Sequence, residues 1–234
     1  MLGCAFQRET RPNTLWLQRV ILGHTQANKK EKNMGMDVYG LNPTIRVDTK
    51  KPERPKDLHK GASDDVIKKY FKEETEYENK NAGVYFRNNC WWWRPLADFM
   101  IAHCDWLTQE QHKHLHDNSG FEFSHHEAGT IADTLQKKVD DGTAKAREEV
   151  NKREMAVADE WNKGINAQQD ELEKEVKKET GDAKLVPYDY PEHFKKKWDD
   201  LQKQIDNKAH YPFKEANVKR FICFLRECGG FQVC

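Results

Sequence analysis

The segment from Thr143 to Thr180 constrains the fold most, because it consists almost continuously of alanine, glutamate, lysine, aspartate and glutamine. Such residues favour helix but supply little apolar surface for a core. The few apolar positions are Val150, Met155, Val157, Trp161, Ile165, Leu172 and Val176. They are too sparse and too uneven for a sustained heptad seam. We therefore expect a long, largely exposed helix or pair of helices here, with Gly164 as the position of a break.

The composition of the whole chain agrees with a small core. Of 234 residues, 37% are apolar and 33% are charged, and the formal net charge is zero. This balance implies a modest core with charged helices around it, not a large α/β enzyme. It gives no general attraction to nucleic acid or to an anionic membrane. No apolar run approaches the roughly 20 residues needed to span a bilayer.

The six cysteines indicate a reducing compartment. They form no CxxC pair, and the chain shows no secretory signal peptide. We expect reduced thiols in a cytoplasmic protein. Cys90, Cys104 and Cys223 lie in apolar contexts, where cysteine acts as a small hydrophobic residue.

Residues 1–33 differ in composition from the rest of the chain. They contain Arg8, Arg11 and Arg19 with few acidic residues, as a transit peptide would. The simpler interpretation is a disordered N-terminal extension before a working start at Met34 or Met36. Residues 34–234 would then form a single mainly helical domain, with residues 143–206 as a charged helical insertion.

The remaining pattern predicts short strands and amphipathic helices. Strands are expected at 36–40, 82–89 and 231–234, and they would pair into one small sheet that joins the two ends of the chain. Helices are expected at 63–78, 95–104, 108–116, 124–140, 191–206 and 214–227. The expected fold class is α+β, mainly α, with several helices around a small sheet of short strands and a long charged helical excursion.

Some positions in these helices carry sharper expectations. Ser63 should cap the first helix, whose apolar stripe is Val66, Ile67, Tyr70 and Phe71. Pro95 suits the first position of the second helix. Capping boxes are expected at Thr108 with Gln111 and at Ser124 with Glu127.

Three consecutive tryptophans, Trp91 to Trp93, suggest either the centre of a core or an aromatic platform. In an extended strand Trp91 and Trp93 would share one face and Trp92 would occupy the other, so we expect Trp92 to be the exposed one. The neighbouring polar residues suit an anionic or planar ligand. The candidate ligand-binding residues are Arg87, Asn88, Asn89, Trp92 and Arg94. The alternative is that the asparagines satisfy local backbone groups and the arginines pair with nearby acidic residues.

A histidine-rich stretch offers a candidate metal site. His112 and His116 have the i, i+4 spacing of two zinc ligands on a helix, and Asp117 follows directly. The pattern lacks the glutamate of an HExxH motif, so it does not predict that class of enzyme. Surface histidines without a metal are the alternative.

Three blocks of sequence resemble a known family. They are MGMDVYGLNP, GVYFRNNCWWWRPLADFM and YPFKEANVKRFICFLRECGGFQVC, beginning at residues 34, 83 and 211. They are similar to the GMDVYG-type start, the YFRNNxWxWRPL block and the C-terminal FLxxCGGFxxC of a family of uncharacterised phage and bacterial proteins. The resemblance covers both ends of the chain from Met34 and implies no reaction. Many members carry CxxC-type, zinc-like pairs in the middle; this chain has a charged helical region there, which argues against a structural zinc.

These observations lead to a functional hypothesis with two alternatives. The leading one is a non-enzymatic binding or accessory protein of phage type in the cytoplasm of the bacterial host. Its partner would be another protein or a small anionic or planar ligand, with no catalytic residue and no cofactor. The alternatives are a metal-dependent hydrolase that uses His112 and His116, and a nucleic-acid-associated protein.

Overall fold

The computed structural model describes residues 35–58 and 61–234, so the expectations for residues 1–33 lie outside it. Its strands are β1 (Gly35–Gly40), β2 (Tyr85–Asn89), β3 (Phe121–Phe123) and β4 (Phe231–Val233). Its helices are α1 (Asp64–Lys80), α2 (Cys90–His103), α3 (Gln109–His114), α4 (His125–Asp140), α5 (Thr143–Thr180), α6 (Glu192–Gln202) and α7 (Glu215–Glu227). Short 3-10 helices occupy Pro187–Asp189 and Asn207–His210. The predicted fold class, α+β and mainly helical, is confirmed.

The described residues form two compact units. One contains residues 35–149 and 213–234, and the other contains residues 150–212. No helix in the described ranges is long and apolar enough to cross a membrane.

The first unit is organised by a four-stranded antiparallel sheet with the strand order β2-β1-β4-β3. Val38 of β1 is paired with Phe86 of β2 on one side and with Val233 of β4 on the other. The predicted pairing of the three strands from distant parts of the chain is therefore confirmed. Strand β3 was not predicted from the sequence.

The inner face of this sheet carries the core. Val38, Phe123 and Phe231 have no exposed surface, and the rings of Phe123 and Phe231 stack with centroids 4.5 Å apart. Helix α7 packs against them through the apolar positions expected from its periodicity. These are Val218, Phe221, Ile222, Leu225 and Cys228, and all are buried. Each large apolar side chain buried in this way stabilises the fold by about 1.5–3 kcal/mol.

Helix α2 begins five residues earlier than predicted. Asn89 is its N-cap and accepts a hydrogen bond from the backbone N–H of Trp92 at 3.0 Å. Pro95 therefore lies inside the helix and not at its first position, where it removes one intrahelical hydrogen bond. The buried proline ring joins the packed side of the helix, which offsets part of that loss.

The N-terminal caps predicted for three other helices are found at the expected residues, but one of them lacks its side-chain hydrogen bond. Both capping boxes, at Thr108 with Gln111 and at Ser124 with Glu127, are present with reciprocal hydrogen bonds. Ser63 is the N-cap of α1, but its side chain makes no capping hydrogen bond.

The predicted apolar stripe of α1 is partly wrong. Val66 and Phe71 are exposed, whereas Tyr70 and Tyr77 are the buried residues of the helix. The positions nearest the start of α1 therefore contribute little to the core, and its tyrosines carry the packing.

The long charged helix is confirmed as α5, and Gly164 does not interrupt it. In the compact unit of residues 150–212, the buried positions of α5 follow a seven-residue repeat. This corrects the expectation that the helix has no heptad seam. They are Asn151, Ala158, Asn162, Ile165, Gln169, Leu172 and Val176. The repeat is hard to detect because three of its members are polar. Two of these satisfy distant backbone groups: Asn151 donates to the carbonyl of Tyr211, and Asn162 both donates to and accepts from the backbone of Asp206.

The close approach of backbone segments in the first unit can be tested by substituting two of its glycines. A Cβ atom on Gly83 would lie 2.1 Å from the carbonyl oxygen of Glu227, whereas one on Gly129 in α4 would meet nothing within 4 Å. We expect Gly83→Ala to lower the free energy of unfolding by about 1–3 kcal/mol through overpacking. Gly129→Ala should raise it by up to about 1 kcal/mol, since alanine is the better helix former. Chemical denaturation of both variants checks this, and equal stability of the two would contradict the observed packing.

Candidate functional site

The three tryptophans lie in the first turn of α2, so they point in three directions. Successive residues of an α-helix are about 100° apart. Trp93 has no exposed surface, and its Nε1–H donates to the carbonyl oxygen of Leu115 at 2.6 Å. Trp91 is 39% exposed, and Trp92 is less exposed than Trp91. The prediction that Trp92 is the exposed tryptophan is therefore wrong, because the run is helical and not extended.

The two asparagines before this run have structural partners. Asn89 caps α2, and Asn88 is buried with its Nδ2 3.3 Å from Oδ1 of Asn217. Asn217 in turn donates to the carbonyl of Trp92 at 3.4 Å, a connection that sequence reasoning did not anticipate. This arrangement joins β2, α2 and α7. Only Asn89 satisfies a local backbone group as the alternative expects, whereas the side chain of Asn88 bonds to the side chain of Asn217.

The candidate ligand-binding residues do not share one surface. Asn88 points to the core side of β2, and Arg94 is a half-buried residue of α2. Arg87 is exposed on the opposite face of β2, where its Cα is paired with that of Asp37 in β1. Of the predicted ligand-binding residues, only Arg87 belongs to a polar cluster on the exposed face of the sheet.

That cluster, which we call the open-face cluster, consists of Asp37, Tyr39, Glu78, Tyr85 and Arg87. Alternation along the strands places Asp37 and Tyr39 of β1 and Tyr85 and Arg87 of β2 on the face away from the core. The rings of Tyr39 and Tyr85 stack with centroids 5.0 Å apart and an interplanar angle of 26°. The Tyr85 hydroxyl donates a hydrogen bond to the Asp37 carboxylate. Tyr39 remains 44% exposed.

The electrostatics of the open-face cluster are perturbed. Partial burial, with a contribution from the neighbouring Glu74, raises the pKa of Glu78 to about 7, although Arg87 and Lys51 act in the opposite direction. Burial and the hydrogen bond to Asp37 raise the pKa of Tyr85 far above its usual value. At neutral pH the Tyr85 phenol is therefore a hydrogen-bond donor, and Glu78 is close to the point at which it changes charge. Shifts of this kind concentrate at functional sites.

The histidine stretch does not form the expected metal site. Helix α3 ends at His114, so His116 lies beyond it and its Nε2 contacts Oδ1 of Asp98 at 3.2 Å. Asp117 contacts Nδ1 of His114 at 3.3 Å, and that ring stacks on Phe121. His112 has a buried Nε2 that has no hydrogen-bond partner. Within residues 35–58 and 61–234, no group of three histidine, cysteine, aspartate or glutamate side chains could hold a metal ion.

The buried cysteines are poor candidates for nucleophiles. Burial raises the pKa of the Cys104 and Cys228 thiols to about 11. The reactive thiolate is therefore scarce at neutral pH at both positions. Both cysteines are small buried core residues, as expected for Cys104 from its apolar context.

Comparison of the chain with protein-family models, with curated proteins and with solved structures finds no match. The interpretation of the open-face cluster therefore depends on its own chemistry. The cluster offers a stacked aromatic pair, a guanidinium with several donors and two carboxyl groups within one small area.

The structural role of the tryptophan run can be tested by substitution. Trp93→Ala should lower the free energy of unfolding by about 3–5 kcal/mol, because it leaves a cavity in the core. Asn89→Ala should cost about 1 kcal/mol through loss of the helix cap. Arg87→Ala should change stability by less than about 0.5 kcal/mol, since it is an exposed residue. Urea denaturation measures all three, and a cost for Arg87→Ala as large as that for Trp93→Ala would contradict the assignment.

The raised pKa of Glu78 predicts a pH dependence of stability. The folded state holds the Glu78 proton more tightly than the unfolded state does, because the pKa of this carboxyl is near 4.5 in the unfolded chain. The contribution of Glu78 to the free energy of unfolding is therefore most favourable below pH 4.5 and is lost as the pH rises through about 7. Glu78→Gln should remove that loss and stabilise the protein at pH 8 relative to the wild type. Denaturation curves between pH 5 and 8 test this, with the exposed Glu76→Gln as the matched control; an unchanged pH slope in Glu78→Gln would contradict it.

Proposed function

We propose that this chain is a non-enzymatic binding protein of phage type, acting in the cytoplasm of the bacterial host, and that the open-face cluster binds a small planar ligand. The resemblance of three sequence blocks to phage and bacterial proteins supports the biological setting. The observation that carries the proposed site is the partly exposed Tyr39 ring, stacked on Tyr85 beside the exposed Arg87.

The ligand chemistry follows from the groups that surround this ring. The guanidinium of Arg87 can donate several hydrogen bonds, and this side chain makes no hydrogen bond or ion pair with another described residue. Asp37 supplies acceptor oxygens on the same face, and Glu78 of α1 interacts electrostatically with both Asp37 and Arg87. A planar heterocycle with both donors and acceptors, such as a nucleobase, would use the ring and both kinds of polar group.

The sequence suggests either an anionic or a planar ligand, and the acidic residues near Tyr39 favour a planar, uncharged one. Glu74, Glu78 and Asp37 all influence Tyr39, since their negative charges contribute to raising its pKa after the effect of burial. A purely anionic ligand would meet this negative field with Arg87 and Lys51 as the neighbouring cations. A neutral nucleoside avoids that repulsion.

The support by β-strands suits recognition of a rigid ligand. Tyr39 and Asp37 are on the central strand β1, and Tyr85 and Arg87 are on β2, which is paired with it. The hydrogen bond between Tyr85 and Asp37 holds both groups in place before a ligand arrives. A ligand that binds to groups already in position loses less affinity to side-chain ordering.

Titration with the four common nucleosides, followed by NMR, tests the proposal. We expect the Tyr39 and Tyr85 ring signals to shift with at least one nucleoside. Tyr39→Leu should weaken that binding by about 5- to 150-fold, the range that corresponds to loss of one base–aromatic stack. Tyr39→Phe, which keeps the ring, should retain most of the affinity, and Arg87→Ala should reduce it.

Tyr188→Leu provides the matched control, because Tyr188 is an exposed tyrosine in the other compact unit. It should leave nucleoside binding unchanged. If no nucleoside at millimolar concentration shifts the Tyr39 or Tyr85 signals, the proposed site is wrong.

A further inference from the structure

Helix α5 carries an exposed apolar stripe in addition to its buried seam. Val150, Val157 and Trp161 are 39%, 72% and 57% exposed, respectively. Seven residues make almost two turns of helix, so Val150, Val157 and Gly164 lie on one line, with Trp161 beside it. We call these four residues the α5 stripe. It is unusual because the rest of the exposed surface of α5 is rich in charged residues.

The packing of the described residues does not explain the glycine at position 164. Glycine is among the weakest helix formers, yet here it lies in the interior of a 38-residue helix. A Cβ atom at this position would meet nothing within 4 Å, and the backbone is helical, so neither space nor conformation demands glycine. A glycine on an exposed helix face does allow another backbone to approach closely.

The α5 stripe is self-complementary about Val157. In an antiparallel pair of α5 helices with a two-fold axis at Val157, each residue faces the one equally distant on the other side of that position. Val150 then faces Gly164 of the second copy, so that a branched side chain meets the position without a side chain. Arg153 likewise faces Trp161. A two-fold interface requires this kind of match of one surface with itself.

The polar groups beside the α5 stripe fit the same arrangement. Arg153 is exposed, and its side chain makes no hydrogen bond or ion pair with any other described residue. Trp161 donates from Nε1 to the carbonyl of Gln204 at 2.8 Å, which holds its ring while more than half of the side chain stays exposed. A guanidinium placed over an indole ring is a favourable cation–π contact.

We propose that the α5 stripe is the interface through which two copies of this chain associate, with their α5 helices antiparallel. The interface lies within residues 150–212 and is independent of the open-face cluster. A single pair of helices buries a small area, so the association is weak and the fraction of dimer depends on protein concentration.

Analytical ultracentrifugation of the full chain over a wide concentration range tests the proposal. The wild type should change reversibly from monomer to dimer. Val157→Lys should leave it monomeric at every concentration, because it places like charges next to each other at the axis. Val186→Lys, which changes another exposed valine of the same compact unit, should leave the dimer intact.

Gly164→Ala gives a second test that does not depend on a disruptive charge. Alanine favours helix and has room within the monomer, so the melting temperature of dilute protein should rise. The added methyl group should obstruct Val150 of the second copy and weaken dimerisation at least tenfold. Opposite changes of this kind cannot arise from partial unfolding.

Three results would overturn the proposal. They are a wild type that remains monomeric throughout, a dimer that survives Val157→Lys, and a Gly164→Ala variant that dimerises as tightly as the wild type. The first would leave the α5 stripe to a different partner, and the second would place the dimer interface elsewhere.

Discussion

Strand β1 is the element on which the first compact unit depends. It hydrogen-bonds to β2 along one edge and to β4 along the other, and its Asp37 backbone exchanges both hydrogen bonds with Cys234. The two neighbours, β2 at Tyr85–Asn89 and β4 at Phe231–Val233, come from different parts of this unit, so β1 joins segments that are far apart in the chain. Gly40 and Gly83 allow the backbone to come this close, since a Cβ atom on either would collide with a carbonyl oxygen.

The register of β1 also separates the core from the candidate site. Val38 points to the aromatic core, while Asp37 and Tyr39 point to the open face. A slip of one residue would move both sets to the wrong face of the sheet. The same pairing therefore stabilises the fold and brings Tyr39 against Tyr85. A binding site supported in this way does not depend on a flexible loop for its geometry.

Helix α5 shows a comparable division between two faces. Its buried seam contains Asn151, Asn162 and Gln169 among apolar residues, and two of these satisfy backbone groups of the segment that packs on the helix. Polar residues in such a seam favour one alignment over others, because a shifted alignment leaves them without partners. Apart from the hydrogen bond of Trp161 to Gln204, the α5 stripe stays largely exposed among the described residues, which is why we assign it to association with a second copy.

The sequence by itself determined the elements whose signals are local. The capping boxes at Ser124 and Thr108 and the apolar period of α7 depend on residues three or four positions apart, and the structure contains all of them. The start of α2 was missed although Asn89 is a local cap, because Pro95 offered a competing start signal.

Only the tertiary structure decided which distant residues meet. Tyr85 and Asp37 are 48 positions apart, and Asn217 is more than 120 positions from Asn88 and Trp92. Alternation along each strand is visible in the sequence, but the register between strands is not. The burial of the core and the close approach of the backbone segments set that register, and no short stretch of sequence contains either.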